Sequence, residues 1–218
     1  MLLRSMRPQT FLQFGAGVLL LVLYVTLLVF VLRPHVTPEY RAYYIDRTSS
    51  DWNPVRYPAS FEEGIRFTNP GFPEFVQLMY GFSFHEPWGR WTDARRSPVS
   101  DRPVAGIVFR EPLSGPVCVD VNARPAQPNE SVTVALGNEE KNVVFSRSEF
   151  ADYFIEFSLT RPANAIEFRF RGRIRSAHEE NPKDQDIRRL GLAIVSLRFF
   201  PYKCGSVQEK AAQRLSQN

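Results

Sequence analysis

The sequence predicts an all-β domain, an antiparallel jelly-roll-like β-sandwich, behind one N-terminal transmembrane helix. Three observations carry that expectation. The stretch from Phe14 to Leu32 holds no charged residue. From Glu63 onward, roughly nine short apolar or alternating runs are separated by Gly, Pro and Asn at the spacing of sandwich strands. Within that region the helical period of about 3.6 residues is almost absent.

The anchor comes first. At about 1.5 Å per residue, roughly 20 helical residues cross a hydrocarbon layer about 30 Å thick. Residues 11–32 meet that length, with Gln13 as the one interior blemish. A cleaved signal peptide fits poorly. Its apolar region runs about 7–15 residues before a small-x-small site, whereas this run exits into Arg33-Pro34-His35. A buried helix of a soluble core would need an amphipathic pattern, and none is visible. Arg4 and Arg7 before the helix favour a cytoplasmic N-terminus, while Arg33, Arg41 and Arg47 follow it. Long domains translocate largely regardless of such charges, so the expected topology is N-terminus in and C-terminal domain out. For a bacterial inner membrane that means a periplasmic domain.

The expected organisation is a cytoplasmic segment over residues 1–10, the membrane helix over 11–32, an extended Pro-rich spacer over 33–62, the β-sandwich over 63–204 and a tail over 205–218. Pro34, Pro38, Pro54 and Pro58 mark the spacer, with Tyr40, Tyr43, Tyr44 and Trp52 available to pack it. Strand-like runs follow at Gly64–Thr68, Phe75–Phe84, Val104–Phe109 and Val117–Ala123, the last two divided by Pro112, Gly115 and Pro116. Ser131–Leu136 and Asn142–Ser146 flank Gly137-Asn138, which predicts a hairpin. Tyr153–Leu159 and Ala165–Phe170 alternate, with Phe154, Ile166, Phe168 and Phe170 as inward candidates, and Leu190–Phe200 is the last run. The charged stretch 171–186 reads as an exposed loop. The tail reads as frayed or disordered.

Composition narrows the function classes. With 27 Lys and Arg against 23 Asp and Glu, the net charge of +4 is small and dispersed. No basic block resembles a nucleic-acid arm, so no nucleic-acid partner is expected. Cys118 and Cys204 are the only cysteines. They are candidates for a disulfide in an oxidising compartment, with two buried thiols as the alternative. No spacing suggests a metal site, and no cofactor motif is present.

Two segments exceed generic strands. One is Gly81-Phe-Ser-Phe-His-Glu-Pro-Trp-Gly-Arg-Trp-Thr-Asp93, and the other is Asp186-Ile-Arg-Arg-Leu-Gly-Leu-Ala-Ile-Val-Ser-Leu197. Over residues 63–200 they resemble the C-terminal β-sandwich accessory domain of the phosphoglycerol transferase I family, whose enzymes decorate periplasmic glucans. That family's alkaline-phosphatase-like catalytic domain, with its metal ligands, has no counterpart here. The resemblance therefore implies the accessory domain without the enzyme.

The residues themselves allow two readings of the first motif. Glu86, Trp88, Arg90, Trp91 and Asp93 put two indoles, a guanidinium and two carboxylates together, a set suited to the apolar face and hydroxyls of a sugar. Alternatively, the tryptophans close one end of the sandwich while Glu86 or Asp93 pairs with Arg90. Asp186 with Arg188 or Arg189 is expected as a structural ion pair. His85 beside Glu86 is a weak acid–base pair, and His35 and His178 lack plausible partners; no catalytic residue is assigned. The expectation is a non-catalytic, membrane-anchored envelope protein. It would bind or position a glycan or glycolipid, or a membrane-bound glycan-synthesis protein. A structural subunit making only protein contacts is the alternative, and a small hydrolase or transferase ranks third.

Overall fold

The computed structural model describes residues 8–32, 36–37, 40–45, 47, 49, 54–93, 104–171, 174 and 176–207. The chain divides into two compact units, Met1–Thr37 and Pro38–Asn218. In the first, helix α1 spans Pro8–Leu32. Its side chains from Phe14 to Val31 are all exposed, and this stretch is long and apolar enough to cross a membrane. Thr26 Oγ1 donates 2.8 Å to the Val22 carbonyl one turn back, which satisfies its hydroxyl without water.

In the second unit the region expected to be an extended Pro-rich spacer is partly folded. Residues Arg41–Ile45 form a π-helical turn, where Tyr44 lies 4.8 Å from Tyr40 and 4.9 Å from Tyr43, ring centre to ring centre. Trp52 falls outside the described residues. Strand β1 (Arg56–Tyr57) pairs in parallel with β3 (Phe72–Pro73). Arg56 donates to the carbonyls of Val76 and, at 3.1 Å, Gln77. Phe61 packs on Phe75, Phe109 and Phe199 at 4.4, 5.5 and 5.9 Å. Residues 54–62 therefore belong to the domain. Their prolines set the path of the chain without keeping it off the body.

The remaining strands are β2 (Ile65–Arg66), β4 (Val76–Tyr80), β5 (Arg90–Asp93), β6 (Val104–Pro125), β7 (Glu130–Leu136), β8 (Glu139–Phe145), β9 (Ala151–Phe170) and β10 (Leu190–Phe200). A short helix, α2 (Ala177–Glu180), interrupts the stretch expected to be loop. Residues 204–207 add one helical turn.

The main departure from expectation lies in β6 and β9. The runs 104–109 and 117–123 belong to one strand of 22 residues, and 153–159 and 165–170 to one of 20. The two pair antiparallel along their length, with register shifts at Val108, Leu113 and Gly115. Pro112 falls where the ladder is already bulged, between Val108 and Leu113, while Pro116 stands in register opposite Ser158 just past the last shift. The irregular stretch between Val108 and Gly115 bends the strand without ending it.

The bend divides the pair between two layers. Layer one runs β8, β7, the second half of β9, the first half of β6, and β4. Layer two runs from the first half of β9 through the second half of β6 to β10, whose far edge carries β5 and β2. Between them lies one core that includes Ile107, Val119, Val132, Phe157, Phe168 and Ile194. Phe109 of layer one meets Phe199 of layer two edge to face at 5.1 Å. The fold is an antiparallel β-sandwich. Ile166, Phe168 and Phe170 point inward as expected, but Phe154 does not. Its neighbours Ile155 and Phe157 take the core positions, and Phe154 packs outside on a second cluster. An alternating run fixes the period of burial, not its phase, when both faces carry aromatics.

That second cluster surrounds a disulfide between Cys118 and Cys204, with Cα atoms 4.9 Å apart. The bond ties the middle of β6 to the turn after β10.

Candidate functional site

The outer face of layer two can be built row by row from its register. Inward positions on β6 are Val117, Val119, Val121 and Ala123, so Cys118, Asp120, Asn122 and Arg124 face out. Trp91 and Arg124 both pair with Ala193 across β10, and Phe150 precedes β9 at the same level. One step along, Arg66, Ser196, Asn122 and Asp152 line up. Next come Arg198, Asp120 and Phe154, then Phe200, Cys118 and Glu156.

The first row carries the aromatic corner. A tight turn at Glu86–Gly89 is closed by two backbone hydrogen bonds, Glu86 N to Gly89 O at 2.9 Å and Gly89 N to Glu86 O at 3.0 Å. Gly89 has a φ of 146°, and a Cβ there would lie 2.3 Å from the Ile194 carbonyl. This position therefore requires glycine. The turn sets Trp88 edge to face with Trp91, 5.6 Å between centroids and 76° between planes. Trp88 also lies 5.7 Å from Phe150. The Arg124 guanidinium sits 5.2 Å from the ring centres of both Trp91 and Phe150, within cation–π range. Both indoles are half-buried, while Phe150 is exposed.

Glu86 fixes the corner from below. One carboxylate oxygen accepts the Trp88 indole N–H at 2.9 Å, and the other accepts Arg188 Nη1 at 3.0 Å. Arg188 simultaneously grips Asp186, with Nη2 2.7 Å from Oδ2. That bonding to Arg188 holds the Asp186 carboxyl below its ordinary range. The same bonds to Asp186, joined by those to Glu86, raise the Arg188 guanidinium above its own. Arg189 points elsewhere, to Glu179 at 3.2 Å.

The other two motif residues are buried. Arg90 is only 2% exposed, lies 5.5 Å from the Phe72 ring centre and donates to the Ser83 carbonyl at 3.4 Å. Asp93 is buried and accepts the Arg189 backbone N–H at 3.3 Å. It borders a cavity of about 530 Å³ shared with Tyr43, Tyr44, Phe84 and Arg188. His85 Nε2 lies 2.8 Å from the Thr68 carbonyl. Of the five motif residues, Trp88 and Trp91 thus form the half-exposed corner, Glu86 supports it, and Arg90 and Asp93 are buried. Arg124 and Phe150 join the corner from β6 and the start of β9. They lie far from the motif in sequence, and only Arg124's polar place in an alternating run hinted at an outward role. Among the described residues, no group of three His, Cys, Asp or Glu side chains could hold a metal ion.

Beyond the corner, the second row floors a groove of about 460 Å³ that also takes in Glu63 and Arg198. Asn122 Nδ2 donates to Asp152 Oδ1 at 2.7 Å across its floor.

A family model for a domain of unknown function, DUF7024, matches residues 50–201. The chain belongs to the DUF7024 family. The matched segment contains both motifs and every strand described. The DUF7024 chain is also 26% identical over 148 residues to phosphoglycerol transferase I of Salmonella typhimurium and of Salmonella typhi, covering 67% of this chain. The chain spans about 18% of the length of these relatives. Among solved structures, a family 29 carbohydrate-binding module from Piromyces equi is similar at a TM-score of 0.44 and 11% identity, over 65% of this chain and 91% of that one. A variant of another family 29 module, complexed with mannohexaose, gives a TM-score of 0.42 and 12% identity over 66% and 93%.

Proposed function

We propose that the protein is a non-catalytic, membrane-anchored accessory protein of the bacterial cell envelope that binds a glycan or glycolipid at the Trp88–Trp91 corner. The observation that carries this reading is the pair of half-exposed indoles set at a steep angle on the outer face of a sheet. Such a corner presents two flat apolar surfaces to a sugar ring. Arg124 and Glu86 stand beside it as planar hydrogen-bonding groups. The distant similarity to phosphoglycerol transferase I supports an envelope-glycan setting. The apolar helix α1 and the disulfide support an extracytoplasmic domain, with the N-terminus in the cytoplasm.

A second reading, a subunit making only protein contacts, draws on the internal bonding of the corner. The Trp88 N–H is already taken by Glu86, and Arg124 already packs on two rings. One set of variants separates the two readings. On the glycan reading, Trp91→Ala in the full chain abolishes the quenching of tryptophan fluorescence by envelope glucans and leaves the domain folded, at a cost of about 1–2 kcal/mol for the lost ring and cation–π contacts. On the structural reading, the same change costs about 3 kcal/mol or more, and the parent gives no glucan response. Trp88→Ala is the parallel test for the other wall of the corner.

A further inference from the structure

The aromatic corner does not stand alone on its face. Arg124 and Asn122 are successive outward positions of β6, and Phe150 and Asp152 are successive outward positions at the start of β9. Two residues along a strand cover about 6.6 Å. The corner therefore runs directly into the groove floored by Asn122, Asp152 and Ser196. Three rows, from that of Arg124 to that of Arg198, extend about 13 Å, more than one sugar ring fills. The chemistry changes along that path from aromatic to amide, carboxylate and hydroxyl. The hydrogen-bonded Asn122–Asp152 pair keeps one amide N–H and further carboxylate lone pairs to offer.

The charges of the groove select among glycans. Arg198 is already paired with Asp120, and Glu62, Glu63 and Asp152 stand against Arg66. A polyanionic chain would meet more carboxylates than unpaired guanidinium charge, so the groove suits a neutral polymer. Resting on the glycan reading above, we infer that the outer face of layer two is a continuous track for an extended, uncharged oligosaccharide, with its end ring at the tryptophan corner and the following sugars over the Asn122–Asp152 row.

The test is a chain-length series. The full chain in nanodiscs is titrated calorimetrically with neutral β-linked gluco-oligosaccharides from the disaccharide to the hexasaccharide. Affinity is expected to rise about tenfold or more along the series, as two or more additional hydrogen bonds are made. Asp152→Ala removes the polar floor, and Ser196→Leu fills the groove from β10. Each is expected to flatten the series, and either suffices if the other does not fold. Trp91→Ala lowers affinity at every length. A flat series in the parent, or a full slope retained in folded Asp152→Ala and Ser196→Leu, overturns the track. If Trp91→Ala still weakens binding in that case, the corner stands without it. Absence of binding at every length overturns both.

Discussion

Asp120 shows how a single residue on this face sets a testable balance. Its side chain is 1% exposed, and its Oδ2 is held by Arg198, while its Oδ1 has no hydrogen-bond partner among the described residues. Burial raises its carboxyl above the ordinary range, against the opposing pull of Arg198. A carboxyl whose folded value is raised contributes stability below its unfolded value and loses it as pH climbs through the folded one. Asp120→Asn should therefore match or exceed the parent's melting temperature at neutral pH. That advantage should close as the solution is acidified toward the ordinary Asp value of about 3.9. A variant melting lower than the parent at pH 7, with the gap unchanged in acid, would mean that the Arg198 pair outweighs burial. At this scale the sequence was half legible. The motif at 81–93 stood out because two tryptophans beside a Pro-Trp-Gly turn exceed what a generic strand connection needs. Its buried members, Arg90 and Asp93, could not be told from its half-exposed ones, because alternation along the strand gives Asp93 the side of Trp91 and the facing 189–190 backbone covers it.

At the level of elements, the tie between the 186–189 segment and the tryptophan turn is the informative case. Arg188 joins Asp186 on its own segment to Glu86 on the turn, both about one-third exposed. Surface pairs of this kind contribute at most about 1 kcal/mol each, so Arg188→Ala should lower the melting temperature by only a few degrees. Its larger effect should fall on Trp88, whose N–H partner Glu86 loses its anchor. We expect a red-shifted, more quenchable tryptophan emission in the variant. Because the Asp186 carboxyl is held low, the stability it contributes is present above its unfolded value and is lost as pH falls through the folded one. The parent's advantage over Arg188→Ala should therefore vanish in strong acid. An unchanged emission spectrum at pH 7 would show that Glu86 holds Trp88 unaided. Most elements were legible as well. The last strand occupies the residues its apolar run marked out, and Gly137-Asn138 joins β7 to β8. The lengths of β6 and β9 were not. Pro112 and Pro116 carry a local signal for a turn, and only the facing interruption in β9 makes it a bend.

For the whole molecule, the disulfide is the link that bears on both stability and compartment. It closes a separation of 86 residues, for which chain-entropy reasoning gives about 4–5 kcal/mol, with measured values of about 2–5 for removal of native bridges in small secreted domains. Replacing Cys118 and Cys204 by Ala should lower stability within that range. Protein taken from cells under alkylating conditions should gain the mass of two alkyl groups only after reduction. Equal masses with and without reduction would place the domain in a reducing compartment and reverse the proposed topology. The bent pair of β6 and β9 has another consequence for the molecule. Each strand is a shared member of both layers, and its backbone amides are bonded on either side of the bend. Neither layer can detach as a separate unit of opening, because doing so would break the ladder that the other also uses. In deuterium exchange, amides near Val108 and near Val121 should then report one common opening free energy, the global one. The edge strands β2, β5 and β8 would exchange through smaller, independent fluctuations.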